Sequence, residues 1–89
     1  MYTVLMTKAA MRDLDRPLPP RTKTSLTDAI DKLSLNPYPI GVKKLKGVDN
    51  LRRIDVGEYR VLYSIHNHNK TILIEKVGDR KEVYRFLKR

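Results

Sequence analysis

The chain has 89 residues, of which 19 are Lys or Arg and 10 are Asp or Glu, for a net charge of +9. That length allows one domain over residues 1–89 with a small core, and the absence of Cys excludes disulfides, thiolate metal sites and Cys nucleophiles. No apolar run approaches the roughly 20 residues needed to cross a bilayer, and the start MYTVLMTKAA has no long apolar segment, so a soluble cytoplasmic protein without membrane contact is expected.

Residues 2–6 alternate weakly and read as a first strand. Residues 8–15 follow as a short helix with Ala9, Ala10, Met11 and Leu14 as apolar members, ending at Arg16 because Pro17 disfavours helix in the residue before it. Pro19 and Pro20 suit the first turn of a second helix, whose apolar face is Leu26, Ala29, Ile30 and Leu33, and Asn36 and Pro37 end it. Residues 36–50, NPYPIGVKKLKGVDN, lack firm periodicity and read as a basic loop with a brief extended piece at residues 42–45.

Residues 52–56, 59–65 and 72–77 predict an antiparallel meander. Gly57 and Glu58 form the first tight connection; Asn67, His68 and Asn69, which tolerate left-handed backbone, form the second. In the middle strand Tyr59, Val61, Tyr63 and Ile65 alternate with Arg60, Leu62 and Ser64, so one face should be the more buried. The polar face carries Arg53, Asp55, Arg60 and Ser64. Asp79 followed three residues later by Glu82 has the form of a capping box, opening a last helix with Val83, Phe86 and Leu87 on its apolar side and Tyr84 and Arg85 beside it.

The charge is uneven: residues 1–40 carry +2 and residues 41–89 carry +7, which points to a polyanion or an acidic protein as partner. No phosphate loop, zinc spacing or Ser-His-Asp arrangement is present, and His66 and His68 fall at or beside a turn. What remains is a basic constellation with one aromatic: Arg53, Arg60, Arg80 and Tyr84. Arginines offer planar forks for phosphate, and a Tyr ring stacks on an unpaired base or supplies a hydroxyl. On spacing alone it is an anion site or an ion-paired surface. Asp55 is expected to pair with Arg53 and Arg60.

The stretches RRIDVGEYRVLYSI and ILIEKVGDRKEVYRFL, with NPYPIGVKKLKG before them, closely resemble the RelE/ParE superfamily of bacterial and archaeal toxins, the toxin components of type II toxin–antitoxin systems, particularly RelE-like mRNA interferases. The resemblance covers nearly the whole chain. It implies an α+β, RelE-like fold: an antiparallel sheet of about four strands, an N-terminal α-helical hairpin on one face and a short C-terminal helix. It also implies ribosome-dependent, metal-independent and cofactor-free cleavage of A-site mRNA by the RNA 2′-OH, with a cognate RelB-like antitoxin, the ribosome and mRNA as partners. Operator DNA would be met only through the antitoxin complex. Arg60 and Arg80 match the phosphate-stabilising arginines, Tyr84 the base-stacking tyrosine, and Arg53 the first of two basic positions on the preceding strand. Lys43, Lys44, Lys46, Arg52, Lys81 and Arg85 form the implied RNA-binding set. The chain departs from the pattern at Asp55, where the second basic position falls, and at Asp79, where relatives often have His. The general base is therefore open among Asp55, Arg53 and the lysines 43, 44 and 46. The alternatives are the ParE branch, which poisons DNA gyrase by binding without nuclease chemistry, and an inactive relative that sequesters antitoxin.

Overall fold

The computed structural model describes residues 1–48 and 50–88. In chain order the elements are β1 (Thr3–Met6), α1 (Lys8–Asp15), α2 (Pro20–Leu33), β2 (Lys43–Lys44), β3 (Leu51–Val56), β4 (Tyr59–His66), a single 3₁₀ turn (Asn67–Asn69), β5 (Thr71–Asp79) and α3 (Arg80–Leu87). Local chemistry sets the helix ends. Thr7 Oγ1 accepts from Ala10 N at 3.1 Å to cap α1, Pro20 occupies the first turn of α2, and both arms of the Asp79–Glu82 capping box are made at α3. α2 ends at Leu33, ahead of the expected Asn36.

The sheet order is β1-β5-β4-β3-β2, with β1 parallel to β5 and the other pairs antiparallel. The expectation of a purely antiparallel sheet of about four strands is thus corrected to five strands and a mixed sheet. Alternation has the same period in either orientation, so it left the pairing of β1 undetermined. β1 takes the edge of β5 in the register Thr3↔Thr71 to Met6↔Ile74, after the two helices have crossed one face. The extended piece in the basic loop is the two-residue β2 on the opposite edge, where exposed lysines discourage further strand addition.

The main core lies between the α1–α2 hairpin and the sheet, where Ala10, Leu26, Ile30 and Leu33 meet Ile54, Val61, Tyr63, Ile72, Ile74 and Val77. Full burial of each Leu or Ile contributes about 2 kcal/mol. A second, smaller cluster of Leu51, Leu62 and Val83, flanked by Leu45, Phe86 and Leu87, lies under α3 on the other face. The middle of β4 is therefore buried on both sides, from Val61 to Ile65, because α3 covers the face that alternation alone marks as the more open. In β5 a bulge sets Leu62 opposite Lys76 and Tyr63 opposite Ile74, leaving Glu75 as the extra residue. The bulge keeps Ile72, Ile74 and Val77 in the main core and turns Lys76 and Gly78 toward α3. In the β4–β5 connection the left-handed residue is Lys70, at φ 54°, and none of the three residues 67–69 expected to accommodate it does so.

Two buried polar groups lock the layers together. The Tyr63 ring is fully buried, and its hydroxyl donates to Pro37 O at 2.8 Å, fixing the chain after α2. Burial pushes this phenol up to about 12. Its ordinary pKa is near 10, so between those values the unfolded chain releases a proton that the folded chain keeps; stability is full below pH 10 and falls as pH rises toward 12. Tyr63→Phe should flatten that alkaline decline and cost about 1–2 kcal/mol at neutral pH in urea unfolding, because the Pro37 carbonyl loses its donor. The second group is Asp13, only 6% exposed, whose Oδ2 accepts from Val77 N at 3.0 Å and whose Oδ1 accepts from Lys76 Nζ at 3.0 Å. β1 ends at Met6, so the edge of β5 beyond Ile74 has no strand partner. Thr7 N donates to Ile74 O, Thr7 Oγ1 donates to Glu75 O, and Asp13 accepts from Val77 N, so the start and middle of α1 complete that edge.

Candidate active site

Strand register gathers the cations. Asp55 stands opposite Arg60, Arg53 opposite Leu62, and Lys43 opposite Arg53, so Lys43, Arg53, Asp55 and Arg60 share the sheet face away from the hairpin. Gly78 is opposite Arg60 and lets α3 begin close above the sheet: a Cβ on Gly78 would come within 2.9 Å of Glu82 Cβ. α3 then supplies Arg80 from its first position and Tyr84 one turn on. A cavity of about 360 Å³ results, lined by Lys43, Arg53, Asp55, Arg60, Arg80, Val83, Tyr84 and Leu87.

Its arginines are held differently. Asp55 Oδ1 lies 3.0 Å from Arg53 Nε and 3.1 Å from Arg60 Nε, so one carboxylate braces two guanidinium groups, as the sequence led us to expect. The contact to Arg53 is an ion pair without hydrogen-bond geometry. Arg60 also donates through Nη1 to Gly57 O at 3.1 Å and Tyr59 O at 3.0 Å. Those carbonyls belong to the tight β3–β4 turn, where Gly57 at φ 58° occupies the first turn position as a II′ turn requires. Arg60 is thus fixed by backbone as well as by charge. Arg80 is exposed and has no ion pair or side-chain hydrogen bond among the described residues, which leaves its fork open to a ligand. Tyr84 is 59% exposed, with Lys88 Nζ 4.6 Å from its ring centroid.

The start of α3 is anchored from the first helix. Glu82 accepts from Asp79 N at 3.0 Å and also pairs with Arg16, at the end of α1. The Arg16 hydrogen bond and then the Asp79 N–H hold the Glu82 carboxyl below the usual carboxylate value, and the same bond holds Arg16 above its own. This contribution to stability is full above about pH 4.5 and is lost as pH falls through the depressed folded value, so Glu82→Gln should blunt the acid side of a stability profile.

Of the remaining residues, Lys43 lines the cavity, while Lys81 and Arg85 lie exposed on α3 outside its lining. Lys44 and Arg52 pair with each other across β2 and β3 on the opposite face, and Lys46 lies in the turn after β2. Among the candidates for general base, Lys43, Arg53 and Asp55 therefore line the cleft and Lys44 and Lys46 do not. His66 is bound through Nε2 to Ser64 Oγ at 3.0 Å, and Ser64 donates to Glu75 Oε2 at 3.0 Å, away from the cleft lining. Sequence reasoning missed Arg16 and Glu82 as supports of the site. The capping-box motif carried half of that signal, and the partner 66 residues away carried none. A larger hollow of about 420 Å³, mainly apolar, lies between α2 and β3 and gathers no comparable charge.

The fold and the cleft define a small α+β protein with one face given over to a cationic pocket. A family profile described as ParE toxin of type II toxin-antitoxin system, parDE, matches residues 4–84, and the chain belongs to that family. Toxin RelG of Mycobacterium tuberculosis is 38% identical over 88 residues, covering 94% of this chain and 97% of that protein. The archaeal RelE–RelB complex from Pyrococcus horikoshii matches with a TM-score of 0.77 and 32% identity over 89% of this chain and 94% of that one. The toxin–antitoxin complex RelBE2 from Mycobacterium tuberculosis gives a TM-score of 0.76 and 33% identity over 89% and 98%. Profile and relatives meet in the RelE/ParE superfamily to which GEYRVLY and VGDRKEVYR pointed.

Proposed function

We propose that this toxin is a ribosome-dependent mRNA endoribonuclease held in check by a RelB-like antitoxin. The observation that carries this reading is the convergence of Lys43, Arg53, Arg60 and Arg80 with the exposed Tyr84 in one cleft that contains a single carboxylate. In the reaction the 2′-hydroxyl of the cleaved nucleotide attacks the adjacent phosphorus, the bond to the 5′-oxygen breaks, and the products are a 2′,3′-cyclic phosphate and a 5′-hydroxyl. The proton lost from the 2′-oxygen and the one gained by the 5′-oxygen balance. As phosphorus becomes pentavalent its oxygens gain negative charge, and Arg60, already fixed by two backbone carbonyls, meets that charge without reorganising. Arg80 is the free fork for the neighbouring phosphate, and the Tyr84 ring stacks on a base and holds the phosphodiester in line. Metal ions are given no part in this scheme, so cleavage should persist in excess EDTA.

Primer extension on a reporter mRNA after brief induction tests the reading. Codon-phased new 5′ ends that appear only on translated message are expected. Growth arrest without such ends would replace the nuclease with a gyrase poison of the ParE kind, and no growth arrest at all would leave an antitoxin-sequestering relative.

A further inference from the structure

The face opposite the cleft carries a second arrangement of cations and rings. At the end of the sheet where β1 begins and α2 stops, Tyr2 Oη donates to Asn67 Oδ1 at 2.7 Å, and Asn67 Nδ2 donates to Tyr38 Oη at 3.3 Å. One asparagine thus ties two tyrosine hydroxyls and fixes both rings. Each ring carries a cation: Lys70 Nζ lies 5.2 Å from the Tyr2 centroid and Arg52 Cζ 5.0 Å from that of Tyr38. Neither cation has a carboxylate partner among the described residues, and Arg52 Nε is buried without a hydrogen-bond partner. Lys44, across the ladder from Arg52, adds an exposed charge. Tyr38 remains 45% exposed with Arg52 against it, so ring surface is left for a ligand.

A face built only for packing would pair its cations with carboxylates, as Asp13 does for Lys76 and Asp55 for Arg53 and Arg60. Here charge is left uncompensated beside rings that are already immobilised. An unpaired base stacking on such a ring would incur little ordering cost, and flanking phosphates would supply the missing counter-charges. We propose that Tyr2, Tyr38, Arg52 and Lys70 form a second RNA-docking surface, one that takes a single-stranded element of ribosomal RNA while the cleft on the other face takes mRNA. This rests on the ribosome-dependent reading above and adds a partner contact on the face that reading leaves unused. Sequence position already separates the two surfaces: Arg52 and Arg53 are neighbours on β3 and point to opposite faces.

The test is binding of the full-length toxin to vacant ribosomes across a salt series, comparing wild type with a Tyr38→Ala, Arg52→Gln, Lys70→Gln triple variant. Lys70→Glu alone, at an exposed turn, serves as a variant that does not disturb packing. For the triple variant we expect at least a tenfold loss of affinity and a log–log salt slope shallower by about two, one unit per lost phosphate contact. Lys70→Glu should give a smaller loss in the same direction, with antitoxin affinity unchanged within twofold. Unchanged ribosome affinity and slope in both variants overturn the inference while leaving the nuclease reading intact. A loss of antitoxin affinity with normal ribosome binding assigns the surface to an acidic protein segment and also overturns it. Wild-type toxin that does not bind ribosomes overturns both.

Discussion

Arg60→Ala should reduce mRNA cleavage by about 100- to 1,000-fold and release cells from growth arrest, the loss expected when a fixed donor to developing transition-state charge is removed. The side chain is anchored to Asp55, Gly57 O and Tyr59 O at the rim of the sheet and takes no part in either core, so the fold should survive its removal. Asp55 would still be paired with Arg53, and no buried charge would be left alone. The variant should therefore unfold within about 1 kcal/mol of wild type and bind antitoxin equally well. Arg60→Lys separates charge from shape: an ammonium keeps the positive charge and loses the planar fork, so a partial recovery is expected. Full toxicity of Arg60→Ala together with undiminished codon-phased cleavage would remove Arg60 from the mechanism.

The second large effect concerns stability. Asp13→Ala should cost on the order of 3 kcal/mol, because it leaves a mostly buried Lys76 ammonium without its partner and the Val77 N–H without an acceptor. In a domain of this size that corresponds to a fall in Tm of roughly 10–20 °C. Asp13→Asn separates the two roles, since its amide oxygen can still accept from Val77 N while the charge is gone; it should recover part of the loss. Replacing Lys76 with Met in the Asp13→Ala background removes the stranded charge and should recover another part. A loss below about 1 kcal/mol in urea unfolding of Asp13→Ala would mean that water satisfies that edge and that α1 does not hold it.

Which features could be read from the chain follows from the range of the forces behind them. Helix starts are local, and Thr7, Pro20 and the Asp79–Glu82 box act within three residues. The cationic face is nearly as local, because period-two alternation and a two-residue turn at Gly57 place Arg53, Asp55 and Arg60 together before any tertiary contact is known. The parallel seat of β1 was not legible, since it depends on which edge remains free after the meander has formed. Asp13 was not legible either: on a helical wheel it is one more polar residue, and its burial follows from a strand 64 positions later. Grouping Arg52 and Lys44 with the RNA-contacting residues of the cleft ignored the alternation that had correctly placed Arg53. Lys70 shows that turn propensity located the turn and left the strained position within it undetermined.

The extra residue in β5 bears on which lengths of this strand the family can tolerate. Losing Glu75 would turn the bulge into regular ladder with Ile74 and Val77 still facing the hairpin and Gly78 still beneath α3, at the expense of the Thr7 and Ser64 contacts. Losing Leu73 instead would swing Ile72 out of the main core and onto the α3 side. Single-residue gaps among natural variants of this toxin should accordingly cluster at residue 75 and be absent from 72–74, a pattern of insertions and deletions set by strand geometry and independent of the chemistry in the cleft.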